Sequence, residues 1–142
     1  MPSQEIDVRG TTAAAPPAVW ELLDDSGSWP EWTPIETCEI ERARGEGATE
    51  VRRFKTGRVT VREEVVERDS ERRLTYVLLG GLAVRDYRAE IDLTPAGEGT
   101  EIRWHTTFAP KVPGSGWIYR RELEKATREF VDGLCAQAAG DG

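Results

Sequence analysis

From Ile35 to Phe108 the chain is cut into short runs rich in Val, Ile, Thr, Tyr and Trp, each ended by turn residues. Ile35–Arg44 stops at Gly45 and Gly47, Thr49–Lys55 at Gly57, and Arg58–Arg68 at Asp69 and Ser70. Arg72–Leu79 ends at the Gly80–Gly81 pair, Val84–Thr94 ends at Pro95, Gly97 and Gly99, and Glu101–Phe108 follows. Runs of this kind separated by a few turn residues pair as hairpins. Such connections leave no room for the crossover helices of a parallel sheet, so the strands form an antiparallel meander.

The flanks differ. Gln4 to Thr12 alternates, with Ile6 and Val8 on one side, and reads as a first strand. Pro16 and Pro17 can open a helix but cannot lie inside one. Ala18, Val19, Leu22 and Leu23 then recur at helical spacing until Asp24–Asp25–Ser26–Gly27. At the other end Ser115 stands as an N-cap before a helix over about 117–138. Leu123, Ala126, Thr127, Phe130, Val131, Leu134 and Ala138 line one face of it, with Glu122, Lys125, Glu129 and Asp132 opposite. A sheet with a polar outer face must bury its inner face, and this helix is the available partner. The fold class is therefore α+β: about seven strands in a curved antiparallel sheet around the C-terminal helix, with two short helices after the first strand. One helix cannot fill the whole concave side, so a cavity is expected.

The 142 residues suit one domain, spanning 1–142. A net charge of -7 argues against nucleic-acid binding through a basic face. No apolar run approaches the length of a membrane span, and the start MPSQEIDVRG lacks a signal-peptide pattern, so a cytoplasmic protein is expected. Cys38 and Cys135 have no metal-type spacing and read as free, mostly buried thiols. With His105 the only histidine, no metal site and no cofactor is expected; a Gly-rich phosphate loop and a Gly-x-Ser-x-Gly elbow are also missing.

PPAVWELLDDSGSWPEWTP (Pro16–Pro34), REEVVERDSERRLTYVL (Arg62–Leu78), VRDYRAEIDLTPAGEGTEIRW (Val84–Trp104) and the long last helix together resemble the START/SRPBCC superfamily, in particular its bacterial polyketide cyclase/dehydrase branch. The resemblance covers nearly the whole chain. It implies a helix-grip fold, and a family of ligand carriers, aromatase/cyclases of aromatic polyketide pathways and proteins that dock on other macromolecules.

Strand parity names the cavity wall independently. Tyr87, Ala89, Ile91 and Leu93 share one face of their strand, and Ile102, Trp104, Thr106 and Phe108 share one face of the next. His105 then points to solvent. In Arg58–Arg68, Val59, Val61 and Val65 bring Glu63 inside, where a carboxylate needs a partner or a proton; Arg53 on the neighbouring strand is the expected partner. A bulge at Val65–Val66 would instead turn Glu64 inward. Arg72–Leu79 is apolar on both parities, so it is expected to be covered on both sides or to lie near an interface. Tyr76, Tyr87, Trp29, Trp32, Trp104, Phe108, Trp117, Leu123 and Thr127 are the candidate ligand-binding side chains, each aromatic having plain core packing as its alternative. Arg120, one turn into the last helix, is placed to meet a ligand carboxylate or enolate, with solvated surface charge as its alternative.

Three functions fit these residues. The first is binding of a small hydrophobic or aromatic molecule, as carrier or sequestering protein, by a monomer or homodimer. In the second, a cofactor-free polyketide cyclase/dehydratase, Glu63 and Tyr87 move protons and Arg53 or Arg120 stabilises an enolate. In the third the cavity is vestigial, and the face bearing Arg62, Glu64, Arg88, Glu90, Arg103 and His105 docks a partner.

Overall fold

The computed structural model describes residues 3–140. Strand β1 (Gln4–Thr12) is followed by α1 (Pro16–Asp24), a 3-10 turn at Ser26–Ser28, and the single-turn α2 (Trp29–Trp32). Six strands come next: β2 (Thr37–Arg42), β3 (Glu50–Thr56), β4 (Val59–Asp69), β5 (Arg73–Gly80), β6 (Val84–Ala96) and β7 (Gly99–Pro110). The helix α3 (Gly116–Gly140) ends the fold. The sheet order is β1-β7-β6-β5-β4-β3-β2, and every pairing is antiparallel. This is the α+β helix-grip arrangement, with α3 across the concave face. Among the described residues no helix is long and apolar enough to cross a membrane.

The local causes are plain. Prolines 16 and 17 fill the first turn of α1, where a missing N–H costs nothing, and Val19, Trp20 and Leu23 form its buried side. Asp25 accepts from the Gly27 amide and starts the 3-10 turn. Ser115 does sit before α3 and accepts the Ile118 and Tyr119 amides, but through its carbonyl; its hydroxyl donates back to the Val112 carbonyl at 2.7 Å. The two cysteines are free and half-buried.

Single extra residues bend the strands and set which side chains face α3. On β4 the extra residue is Val66, between the pairs Val65–Tyr76 and Glu67–Thr75. It lies beyond Glu63 and Val65, so both stay inside, and past it Arg68 turns inward as well. The bulge foreseen at Val65–Val66 is thus present, and Glu64 is on the outer face, bonded to Thr49 and 3.6 Å from Arg42. On β5 the extra residue is Leu79, and the strand is not covered on both sides: Leu74, Tyr76 and Leu78 face in, whereas Leu79 is exposed on the other face. On β6 a bulge with Asp86 at φ 54° lets Val84 and Tyr87, three residues apart, both join the interior.

The outer sheet face neutralises itself. Arg103 pairs with Asp7 at 2.8 Å, Arg73 with Asp92 at 2.6 Å, Arg62 with Glu41 at 2.9 Å, and His105 meets Glu5 at 2.9 Å. Burial pushes the Cys38 thiol from 9.0 up to about 11. At pH 8 the native thiolate fraction should therefore be about 100-fold below that of the unfolded chain. Iodoacetamide labelling followed by peptide mass spectrometry should show Cys38 modified slowly in the native protein and rapidly in guanidinium.

Candidate functional site

A cavity of about 150 Å³ lies between the sheet and α3. Trp29 closes one end, Ile35 and Phe54 flank it, and Val59, Val61 and Glu63 of β4 form one wall. Tyr76 and Leu78 of β5, with Leu82 and Tyr87, continue that wall, and Leu123, Ala126, Thr127 and Phe130 of α3 cover it. Most of this surface is apolar. The helix contributes one hydroxyl, Thr127, which donates to the Leu123 carbonyl at 2.6 Å.

Glu63 is 7% exposed and is held by Arg52, which is fully buried directly opposite it on β3. Nε of Arg52 donates to Oε1 at 3.1 Å, and Nη2 stands 3.0 Å from the same oxygen as an ion-pair contact without hydrogen-bond alignment. No hydrogen bond from the guanidinium reaches Oε2. Three rings enclose the cation: Trp29 at 4.1 Å, Phe54 at 4.6 Å and Tyr76 at 4.9 Å from Cζ. Nη1 donates to Ser26 Oγ at 2.8 Å, and Ser26 donates to Glu50. Glu50 lies 3.2 Å from Arg68, which pairs with Asp24, and Asp24 meets Arg44 at 2.9 Å near the surface. A chain of alternating charge therefore runs from the cavity wall to solvent.

Burial pushes the Glu63 carboxyl up, and the charge and hydrogen bond of Arg52 offset this only in part. Both phenols are also held above their ordinary value by burial first. Next, Tyr87 raises Tyr76, and the charge of Glu63 raises Tyr87. The two tyrosine rings are 6.4 Å apart, which places their phenols at the same end of the cavity as Glu63. At neutral pH this end of the cavity offers neutral phenols and one carboxyl group.

Of the residues named from sequence, Trp29, Glu63, Tyr76, Tyr87, Leu123 and Thr127 come together around the cavity. Trp104, Phe108 and Trp32 are buried behind it. Trp104 packs 5.5 Å from both Trp29 and Phe130, Phe108 lies 6.3 Å from Tyr87, and Trp32 is 5.0 Å from Trp29 with its indole N–H on Ser28. Three placements are corrected. Arg53 faces solvent, 44% exposed and 3.4 Å from Glu41, because strand alternation turns it away from Glu63. Trp117 is 63% exposed, because it lies off the face of α3 that carries Leu123 and Thr127, while its neighbour Gly116 is buried. Arg120 lies outside the cavity, donating to the Glu5 carbonyl at 3.2 Å and lying 3.8 Å from Glu124. Arg52, Phe54 and Phe130 went unnamed as site residues. The parity of Glu50, Arg52 and Phe54 was the available signal for the first two.

Among the described residues no three His, Cys, Asp or Glu side chains gather where a metal ion could sit. Residues 3–139 match the family model described as polyketide cyclase / dehydrase and lipid transport. The chain belongs to this family. The family's description joins polyketide chemistry with lipid transport, which supports a hydrophobic ligand-binding or cyclase role without deciding between them. No curated protein matches with significance. Solved structures do match over nearly their full length. A START superfamily protein from Mycobacterium smegmatis has a TM-score of 0.84 at 14% identity, covering 97% of this chain and 99% of that one. The protein XoxI from Bacillus cereus gives 0.80 at 22%, covering 96% of each. The Zhui aromatase/cyclase from Streptomyces sp. R1128 gives 0.76 at 21%, covering 96% of this chain and 94% of that one. At these identities the likeness is one of fold.

Proposed function

We propose that this protein binds a small, largely apolar molecule in the cavity beneath α3, as a cytoplasmic carrier or sequestering protein. The size and wall of the cavity carry this reading. About 150 Å³ with a mostly apolar lining that includes Trp29, Phe54, Leu123 and Phe130 suits a single ring. It is well below the roughly 300–1,000 Å³ of most drug-sized ligand sites, and a folded poly-β-ketone needs more room. Native mass spectrometry after incubation with single-ring and multi-ring aromatic compounds tests it. The expected result is a one-to-one complex at the mass of an unaltered single-ring compound. Absence of any complex across the panel would end this reading.

One observation favours the cyclase/dehydratase alternative: a buried carboxyl, Glu63, whose affinity for a proton is raised, beside the neutral Tyr87 phenol. On that alternative, incubation with poly-β-ketone compounds yields a product lighter by one water over many turnovers. Glu63→Gln then abolishes turnover while compounds still bind. With binding alone as the function, no dehydrated product accumulates and Glu63→Gln changes affinity only.

A further inference from the structure

The polar groups of the cavity are unevenly placed, and this selects among apolar ligands. Glu63, Tyr76 and Tyr87 stand on β4, β5 and β6, whereas the facing wall of Trp29, Leu123, Ala126, Thr127 and Phe130 offers no free donor. The indole N–H of Trp29 is taken by the Leu23 carbonyl at 3.2 Å, and the Thr127 hydroxyl by the Leu123 carbonyl. The hydrogen bond from Arg52 to Glu63 goes to Oε1. Glu63 lines a cavity of single-ring size, and its other oxygen, Oε2, takes no hydrogen bond from Arg52, so it is the carboxylate oxygen open to a donor placed in the cavity. Charge narrows the choice further. The Arg52–Glu63 pair is neutral as a unit, so a ligand cation would crowd Arg52 and a ligand anion would face Glu63.

We propose that the ligand is a neutral single-ring compound bearing a hydroxyl group, a phenol or ring alcohol, which donates to Oε2 of Glu63 while the ring lies against Trp29, Leu123 and Phe130. This rests on the ligand-binding reading above and specifies it. The hydroxyl is what separates this ligand from an equally apolar ring, because a hydrogen bond to a charged acceptor is worth about tenfold or more in affinity.

The test titrates the full chain with phenol, anisole, toluene, benzoate and benzylamine, following the Trp29 indole N–H signal by NMR. Phenol should bind about tenfold or more tighter than anisole, which keeps the ring and the oxygen but has no donor. In Glu63→Gln the phenol preference should shrink to within about threefold. The paired variant Arg52→Met with Glu63→Leu removes both charges together and should show the same loss if Glu63→Gln alone fails to fold. Equal binding of phenol, anisole and toluene overturns the inference and leaves the ligand-binding reading standing. Tightest binding of benzoate or benzylamine overturns it in favour of a charged ligand. Failure of all five probes to bind removes the ligand-binding reading itself.

Discussion

Arg52→Met should lower the stability of the protein by about 3–5 kcal/mol in chemical denaturation, the cost of breaking a buried ion pair from one side. The substitution keeps most of the side-chain volume but strands Glu63, which is 7% exposed, and removes the donor to Ser26. It also empties the cage formed by Trp29, Phe54 and Tyr76 of its cation. Adding Glu63→Leu should recover much of the loss, because a neutral, well-packed pair avoids the desolvation that two buried charges incur. The pH dependence has a definite sign. Folding raises the Glu63 carboxyl above its ordinary value of 4.5, so the folded state favours the protonated form. The stability linked to this group is fully present below that value and falls as pH rises through the folded value. Without Arg52 the offsetting attraction is gone, so the Arg52→Met deficit should widen from pH 5 to pH 8. A loss under 1 kcal/mol, or one independent of pH, would contradict the pairing.

Most of the architecture is legible in the sequence, because turn residues cut the chain where the strands end and the spacing of Leu123, Thr127, Phe130 and Leu134 defines α3. Ends shifted by a residue or two, as at β4, which runs Val59–Asp69 rather than Arg58–Arg68. The site was legible only in part. Glu63 was found by alternation with Val61 and Val65, a local property that held because the bulge falls one residue later, at Val66. Arg52 was not found, although Phe54 two residues on shares its face. Its neighbour Val51 is buried too, so burial alone does not distinguish the parities of this strand, and a cation is the residue type least expected inside. Trp117 was misplaced through its chemistry. A rigid aromatic side chain at the start of α3 suits a ligand wall or the core, yet six residues before Leu123 it lies well off the Leu123–Thr127 stripe and is exposed. The cavity's small size was beyond reach, since it follows from Trp104 and Phe130 packing against Trp29. That is a contact among three distant segments.

Gly133→Ala is expected to destabilise the protein by up to about 3 kcal/mol, the upper part of the overpacking range, against the usual direction of such a change in a helix. In an unobstructed helix interior, alanine is favoured over glycine by about 1 kcal/mol. At position 133, however, an added Cβ would stand 1.8 Å from the carbonyl oxygen of Trp32. The obstacle is backbone, so no side-chain rotation relieves it; α2 and α3 must move apart. That movement is transmitted to the cavity, because Trp29 and Trp32 are the ends of the same single turn, their rings 5.0 Å apart. Gly140→Ala, at the end of the same helix with nothing within 4 Å, supplies the control and should change stability by less than about 0.5 kcal/mol. Thermal or denaturant unfolding of both variants separates the contact from helix propensity. A stabilised Gly133→Ala would mean that α2 does not rest on α3, and the end wall of the cavity at Trp29 would lose its support.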